Sequence, residues 1–125
     1  MHTQWIPFVA ASCLALGCGA SFPPPTQKLA DTESAERSAA ELGAAGQPKA
    51  QLHLQLAQEQ VMQAKAAIVD GNNERADSLL SRARSDAELA VVLTREQTAR
   101  TESQKATDQS NTQRETNAKQ PGGQR

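Results

Sequence analysis

Two runs of apolar residues limit what this chain can fold into. After Pro48, the positions that recur at alternating steps of four and three hold Ala50, Leu54, Ala57, Val61, Ala64 and Ile68. After Asn73, the same rhythm holds Ala76, Leu80, Ala83, Ala87, Ala90 and then Thr94. This spacing puts each set on one stripe of a helix, the arrangement of a packing seam. Only Asp70-Gly71-Asn72-Asn73 separates the runs. Two helices of roughly twenty residues joined by so short a loop must run antiparallel. Gly71 ends the first, where a left-handed residue costs least. Asn73 is placed to cap the second, with Glu74 and Asp77 near its positive end. No segment alternates β-branched and polar residues with a period of two, so strands are not expected.

A hairpin leaves one side open. Ala35, Ala39 and Leu42, at helical spacing between Thr26 and Ala45, can supply a third helix, with Glu33 and Arg37 as a pair four residues apart. Leu52, Leu56, Leu79, Leu89, Val92 and Leu93 lie off the main seams and widen the apolar face. On the register that carries the second seam, Gln97, Thr101, Gln104 and Asp108 follow Thr94, so the seam ends there. Glu96 and Arg100 support another turn or two. Residues 95–125 contain only Ala99, Ala106 and Ala118 from the apolar set, and such a segment cannot offset its ordering entropy by burial. The expected class is all-α: an antiparallel helical hairpin with a preceding third helix. The helices are expected at about 28–43, 48–70 and 73–103, within a helical domain over 28–103. A disordered polar tail is expected over 104–125.

The first 27 residues carry no Lys, Arg, Asp or Glu. Trp5 to Leu16 is an apolar run too short for the ~20 residues of a membrane span but suited to the core of a secretory signal. The run ends in Ala15-Leu16-Gly17-Cys18, which resembles a bacterial lipobox, with Cys18 as the lipidated residue. Cys13 competes but leaves too short an apolar core. An ordinary signal cleaved to leave a free thiol and an uncleaved anchor are the alternatives. Residues 1–17 are thus read as a signal peptide, and 18–27 as a lipidated Cys and Pro-rich tether. Pro23, Pro24 and Pro25 favour polyproline II, and six residues from Ser21 to Thr26 would reach roughly 19 Å at ~3.1 Å per residue. Gly19 stands where Asp marks inner-membrane retention, so the resemblance favours the outer membrane of a Gram-negative bacterium, facing the periplasm.

Composition narrows the function classes. Removal of residues 1–17 leaves 108 residues with one Phe, no Trp, no Tyr and one Cys. That excludes an aromatic-lined pocket, an internal disulfide and a zinc finger. A net charge of -1 gives no reason to expect nucleic acid. His53 reads as an exposed helix residue. Asp86 and Glu88, two apart, do not face each other, and Asp86 is placed to pair with Arg82. Ser78, Ser81 and Ser85 have no evident base. Asp70 to Glu74 lacks calcium-loop spacing, and no cofactor or metal site is expected.

The segment Pro48 to Ala90 resembles the bacterial domain-of-unknown-function family 4398 of envelope lipoproteins. The resemblance rests on Pro48, Leu54, Ala57, Val61, Ala64, Ala67-Ile68, Gly71-Asn72, Ala76, Leu79, Ala83 and the run Asp86-Ala87-Glu88-Leu89-Ala90. It covers roughly 60 of the 125 residues. Asn72 and Asn73 stand where the family tends to place an acidic residue and an aromatic, and Gly46-Gln47 where an aromatic often precedes the Pro. The resemblance implies a periplasm-facing helical lipoprotein and carries over no catalytic residue. The Gly turn followed by Ala76 and Ala83 also resembles half of a tetratricopeptide repeat, but no period of about 34 residues recurs.

These features together lead to a non-enzymatic lipoprotein bound to the membrane through its lipid, whose bundle associates with an envelope protein or with itself. A self-associating coiled coil is the second reading. A hydrolase accessory is the third, and it would need a convergent polar site. The chain from Lys28 to Arg125 should give a helical circular dichroism spectrum without Trp or Tyr bands in the near ultraviolet. A sheet spectrum would overturn the fold.

Overall fold

Residues 22–120 are described by a computed structural model. Three helices follow in order: α1 (Thr26–Glu41), α2 (Pro48–Val69) and α3 (Asn73–Lys119), with a 3₁₀ turn (Ala44–Gly46) between α1 and α2. The fold is a small all-α bundle. Residues 1–17 and Cys18, read above as signal and lipidation site, lie outside the described residues, as do 121–125.

Local chemistry sets the helix ends. Pro48 opens α2, where its missing N–H is not needed. Gly71 stands at φ +74°, and its N–H bonds the Ile68 carbonyl while the Asn72 N–H bonds that of Ala67. These are the two reversed hydrogen bonds that satisfy orphan carbonyls at a helix end. Gly43, at φ +89°, makes a similar left-handed turn after α1, with its N–H bonded to the Ala40 carbonyl. The cap of α3 is Asn72 rather than the expected Asn73: the Asn72 side-chain oxygen accepts from the Arg75 N–H at 3.3 Å. Asn73 begins the helix, and its side-chain amide donates to the Phe22 carbonyl at 2.8 Å.

The bundle runs up, down, up. Val61, Ala64 and Ala67 of α2 cluster with Ala76, Leu79, Leu80 and Ala83 of α3, whereas Ala50 and Leu54 meet Ala90. The pair is therefore antiparallel. α1 runs parallel to α3: Lys28 meets Asp77 at 2.6 Å near one end, and Ala39 packs with Ala90 near the other. Of the residues assigned to the packing seam, Leu54, Ala57, Val61, Ala64, Ala76, Leu80, Ala83, Ala87 and Ala90 are buried. Ile68 is only half-buried, and Ala67 takes the inward place. Ala67 faces the first turns of α3, just across the tight loop, while Ile68 sits at the end of the bundle and is covered on one side. Thr94 is also buried, its hydroxyl donating to the Ala90 carbonyl at 2.8 Å.

α1 joins through small groups. Thr32 is fully buried; its hydroxyl donates to Lys28 of its own helix at 2.7 Å and approaches the Leu80 carbonyl at 3.5 Å. Ala39 is buried and Ala35 half-buried, but Leu42 is largely exposed. Glu33 does not pair with Arg37; it reaches across to Lys65 of α2 at 2.7 Å. Unlike a pair along one helix, this one fastens α1 to the hairpin.

Two expectations change. Residues 104–119, expected to be disordered, continue α3 as one helix to Lys119 with every side chain exposed. Burial is not needed there because extending an existing helix fixes one residue per hydrogen bond and avoids nucleation. Glu96–Arg100 and Gln104–Asp108 pair along it, and Thr98, Thr101, Thr107, Thr112 and Thr116 bond back to carbonyls four residues earlier. Beyond Thr98 this spur extends about 30 Å at ~1.5 Å per residue. The Pro segment, read as a free spacer, is tied down at its described end, because Phe22 is bonded to Asn73 at the hairpin turn.

Deletion of residues 104–125 should leave the thermal midpoint unchanged, since every described residue there is exposed. Leu80→Ala, which empties the largest fully buried side chain, should cost about 2–5 kcal/mol in chemical denaturation. Equal stability losses from the two changes would show that the core is misplaced.

Candidate functional site

The hairpin of α2 and α3 has two flanks. One is closed by α1 through the Lys28–Asp77 and Lys65–Glu33 pairs. On the other, the only cross-helix polar link formed by a described carboxylate centres on Asp86. His53 Nδ1 lies 2.8 Å from Asp86 Oδ1, and Gln60 Nε2 donates to Oδ2 at 2.9 Å. His53 and Gln60 are two turns apart on one stripe of α2, so the carboxylate is held between them. The contact is an ion pair when the ring is protonated and a hydrogen bond otherwise.

The sequence reading placed His53 in solvent and Asp86 with Arg82. His53 is instead half-buried, and Asp86 turns across the interface. A partner on the facing helix was missed because i,i+4 rules see only one helix. The register of the two seams, counted outward from the Gly71 turn, would have placed Asp86 opposite the stretch between His53 and Gln60.

The leucines expected to widen the core are largely in water. Leu52 is 54% exposed, Leu56 37% and Leu89 40%, while Leu93 is half-buried. Leu56 follows His53 by three residues on α2, whereas Leu52, its neighbour in sequence, sits about 100° around the helix and away from the flank. Leu89 and Leu93 follow Asp86 at steps of three and four on α3. Only Leu79 of the expected set is buried, and Val92 is 57% exposed. At the start of α2 the groove opens into a cleft of about 510 Å³ bounded by Lys49, Ala50, Leu93, Glu96 and Arg100.

Ser81 and Ser85 of α3 are engaged in hydrogen bonds. Ser81 accepts from Lys28 Nζ at 3.1 Å and donates to the Asp77 carbonyl, and Ser85 donates to the Ser81 carbonyl. Among the described residues no three His, Cys, Asp or Glu side chains gather in a metal-holding group, and no helix is long and apolar enough to cross a membrane. Comparison with family models, curated proteins and solved structures finds no match for the chain.

The environment of Glu36 works against its charge. One of its oxygens is buried without a partner. Burial raises its pKa above the usual carboxylate range, Glu33 adds to the rise, and Lys65 opposes it. A raised folded pKa favours the protonated form, so folding loses stability as pH rises from the unfolded toward the folded pKa. Glu36→Gln should therefore raise the melting temperature at pH 7, with the gain vanishing in acid below both values. A gain independent of pH would show that charge is not the cause.

Proposed function

We propose that the chain is a non-enzymatic lipoprotein anchored through acylated Cys18 in the outer membrane of a Gram-negative bacterium. In this reading it faces the periplasm, and its helical bundle is an association module. The observation that carries the association role is the uncovered leucine flank of the α2–α3 hairpin, since exposed apolar side chains grouped on one face mark an interaction surface. The anchoring role draws on Ala15-Leu16-Gly17-Cys18 and on the resemblance of Pro48 to Ala90 to the lipoprotein family 4398.

The bundle gives such an anchor a direction. Phe22 is fastened at the hairpin turn, and four residue steps separate it from Cys18, a reach of at most ~14 Å. An acylated Cys18 would keep the turn near the headgroups. The open end of the bundle and the α3 spur, which leave in the opposite direction, would point away from the bilayer. Multiple acyl chains, each contributing ~0.8 kcal/mol per buried methylene, hold such a protein stably. Self-association as a structural lipoprotein is the second reading and draws on the same leucine flank.

Cells fed an alkyne-bearing palmitate should label the chain, and Cys18→Ser should remove the label. A lysine-reactive crosslinker applied to intact envelopes should then join the chain to another protein. An unlabelled wild type overturns the anchor, and a chain that crosslinks to nothing overturns the association role.

A further inference from the structure

The uncovered flank carries a charge as well as a shape. Lys49 precedes His53 and Leu56 on one stripe of α2, and Arg75 and Arg82 precede Leu89 on the matching stripe of α3. Among the described residues none of these three cations has a carboxylate within 4.0 Å, whereas the acidic groups of the flank are engaged. Asp86 is held by His53 and Gln60, Glu96 by Arg100, and Glu59 at the rim accepts from Gln63. The groove therefore has leucine walls, a carboxylate at its centre tied down by His53 and Gln60, and three cations that outnumber the two carboxylates, Asp86 and Glu59, that no Lys or Arg pairs with.

We propose that this groove receives an acidic amphipathic helix of another protein. Its apolar side chains, at steps of three and four, would sit among Leu56, Leu89 and Leu93. Its flanking carboxylates would meet Lys49, Arg75 and Arg82. A groove between two antiparallel helices accepts one further helix, as the opposite groove accepts α1. From Lys49 to Gln60 the α2 wall is about 17 Å long at ~1.5 Å per residue, enough for a partner of three or four turns.

Charge argues against the other occupants. A second copy would bring Lys49, Arg75 and Arg82 against their own kind, and like charges brought together oppose association. A bilayer would have to reach Leu56, about 20 Å along α2 from the turn at ~1.5 Å per residue, while the tether leaves at that turn. This last point, and the identification of the partner as an envelope protein, rest on the anchored reading above. The groove and its charge do not.

The test uses the full-length protein and two fluorescent probe helices of the same apolar pattern, one flanked by Glu and one by Lys. Anisotropy should show binding of the Glu-flanked helix, weakening with salt, and none of the Lys-flanked helix. Leu56→Gln or Leu89→Gln should weaken binding about tenfold. Arg82→Glu should weaken it about threefold while improving capture of the Lys-flanked probe. All three side chains lie at the surface, so melting should not change; Arg82→Glu, which leaves the leucines untouched, keeps the test valid if a Gln variant loosens the bundle. Equal binding of both probes, no binding, or binding that survives Leu56→Gln with Leu89→Gln would overturn the proposal. So would a wild-type dimer in sedimentation that Leu56→Gln dissolves, which would assign the groove to a second copy. Flotation of the Cys18→Ser chain with phosphatidylglycerol vesicles, lost in the same variant, would assign it to lipid. Loss of probe binding with the envelope crosslink retained overturns the acidic-helix groove alone; loss of the crosslink overturns the association role itself.

Discussion

The close approach of α2 and α3 through alanine is the contact on which everything else depends. Ala57, Ala64, Ala76, Ala83, Ala87 and Ala90 are all fully buried between helices, and among the described residues Leu80 is the only large apolar side chain buried as completely. Small side chains let backbones come near each other, and the density of many weak dispersion contacts replaces the area that aromatic side chains would otherwise supply. With no Tyr and with its single Trp in the first residues, the chain has no alternative means of filling a wider core.

That thinness has consequences outward from the seam. A narrow interface cannot absorb the off-seam leucines, so Leu52, Leu56 and Leu89 remain at the surface although their neighbours are buried. It also brings polar side chains on facing helices within bonding range, which is why Asp86 reaches two residues of α2 at once. α1 closes one groove with Thr32, Ala39 and two ion pairs rather than with bulk. The matching groove on the other side keeps its leucines and its cations.

Much of this was legible in the order of residues. The four-and-three spacing located both seams, and Gly71 and Pro48 set the ends of α2, because each acts through its own backbone restriction. The third helix could be read from Ala35 and Ala39, yet Thr32 was invisible as a core residue: a hydroxyl becomes apolar enough to bury only when its proton is given to a nearby carbonyl. The spur past Gln104 was misread for a related reason. Composition measures what a segment can bury, whereas helix continuation depends on what precedes it.

By itself the sequence determined the class of fold, the antiparallel pairing and the stripe that goes inside, since periodicity and a short turn leave few alternatives. Only the tertiary structure decided which flank α1 covers, that His53 and Gln60 share Asp86, that Phe22 is pinned beside Asn73, and that three leucines and three cations lie along one open flank. Those are relations between residues distant in the chain. They follow from the distance and rotation between helices, quantities that spacing along one helix does not contain.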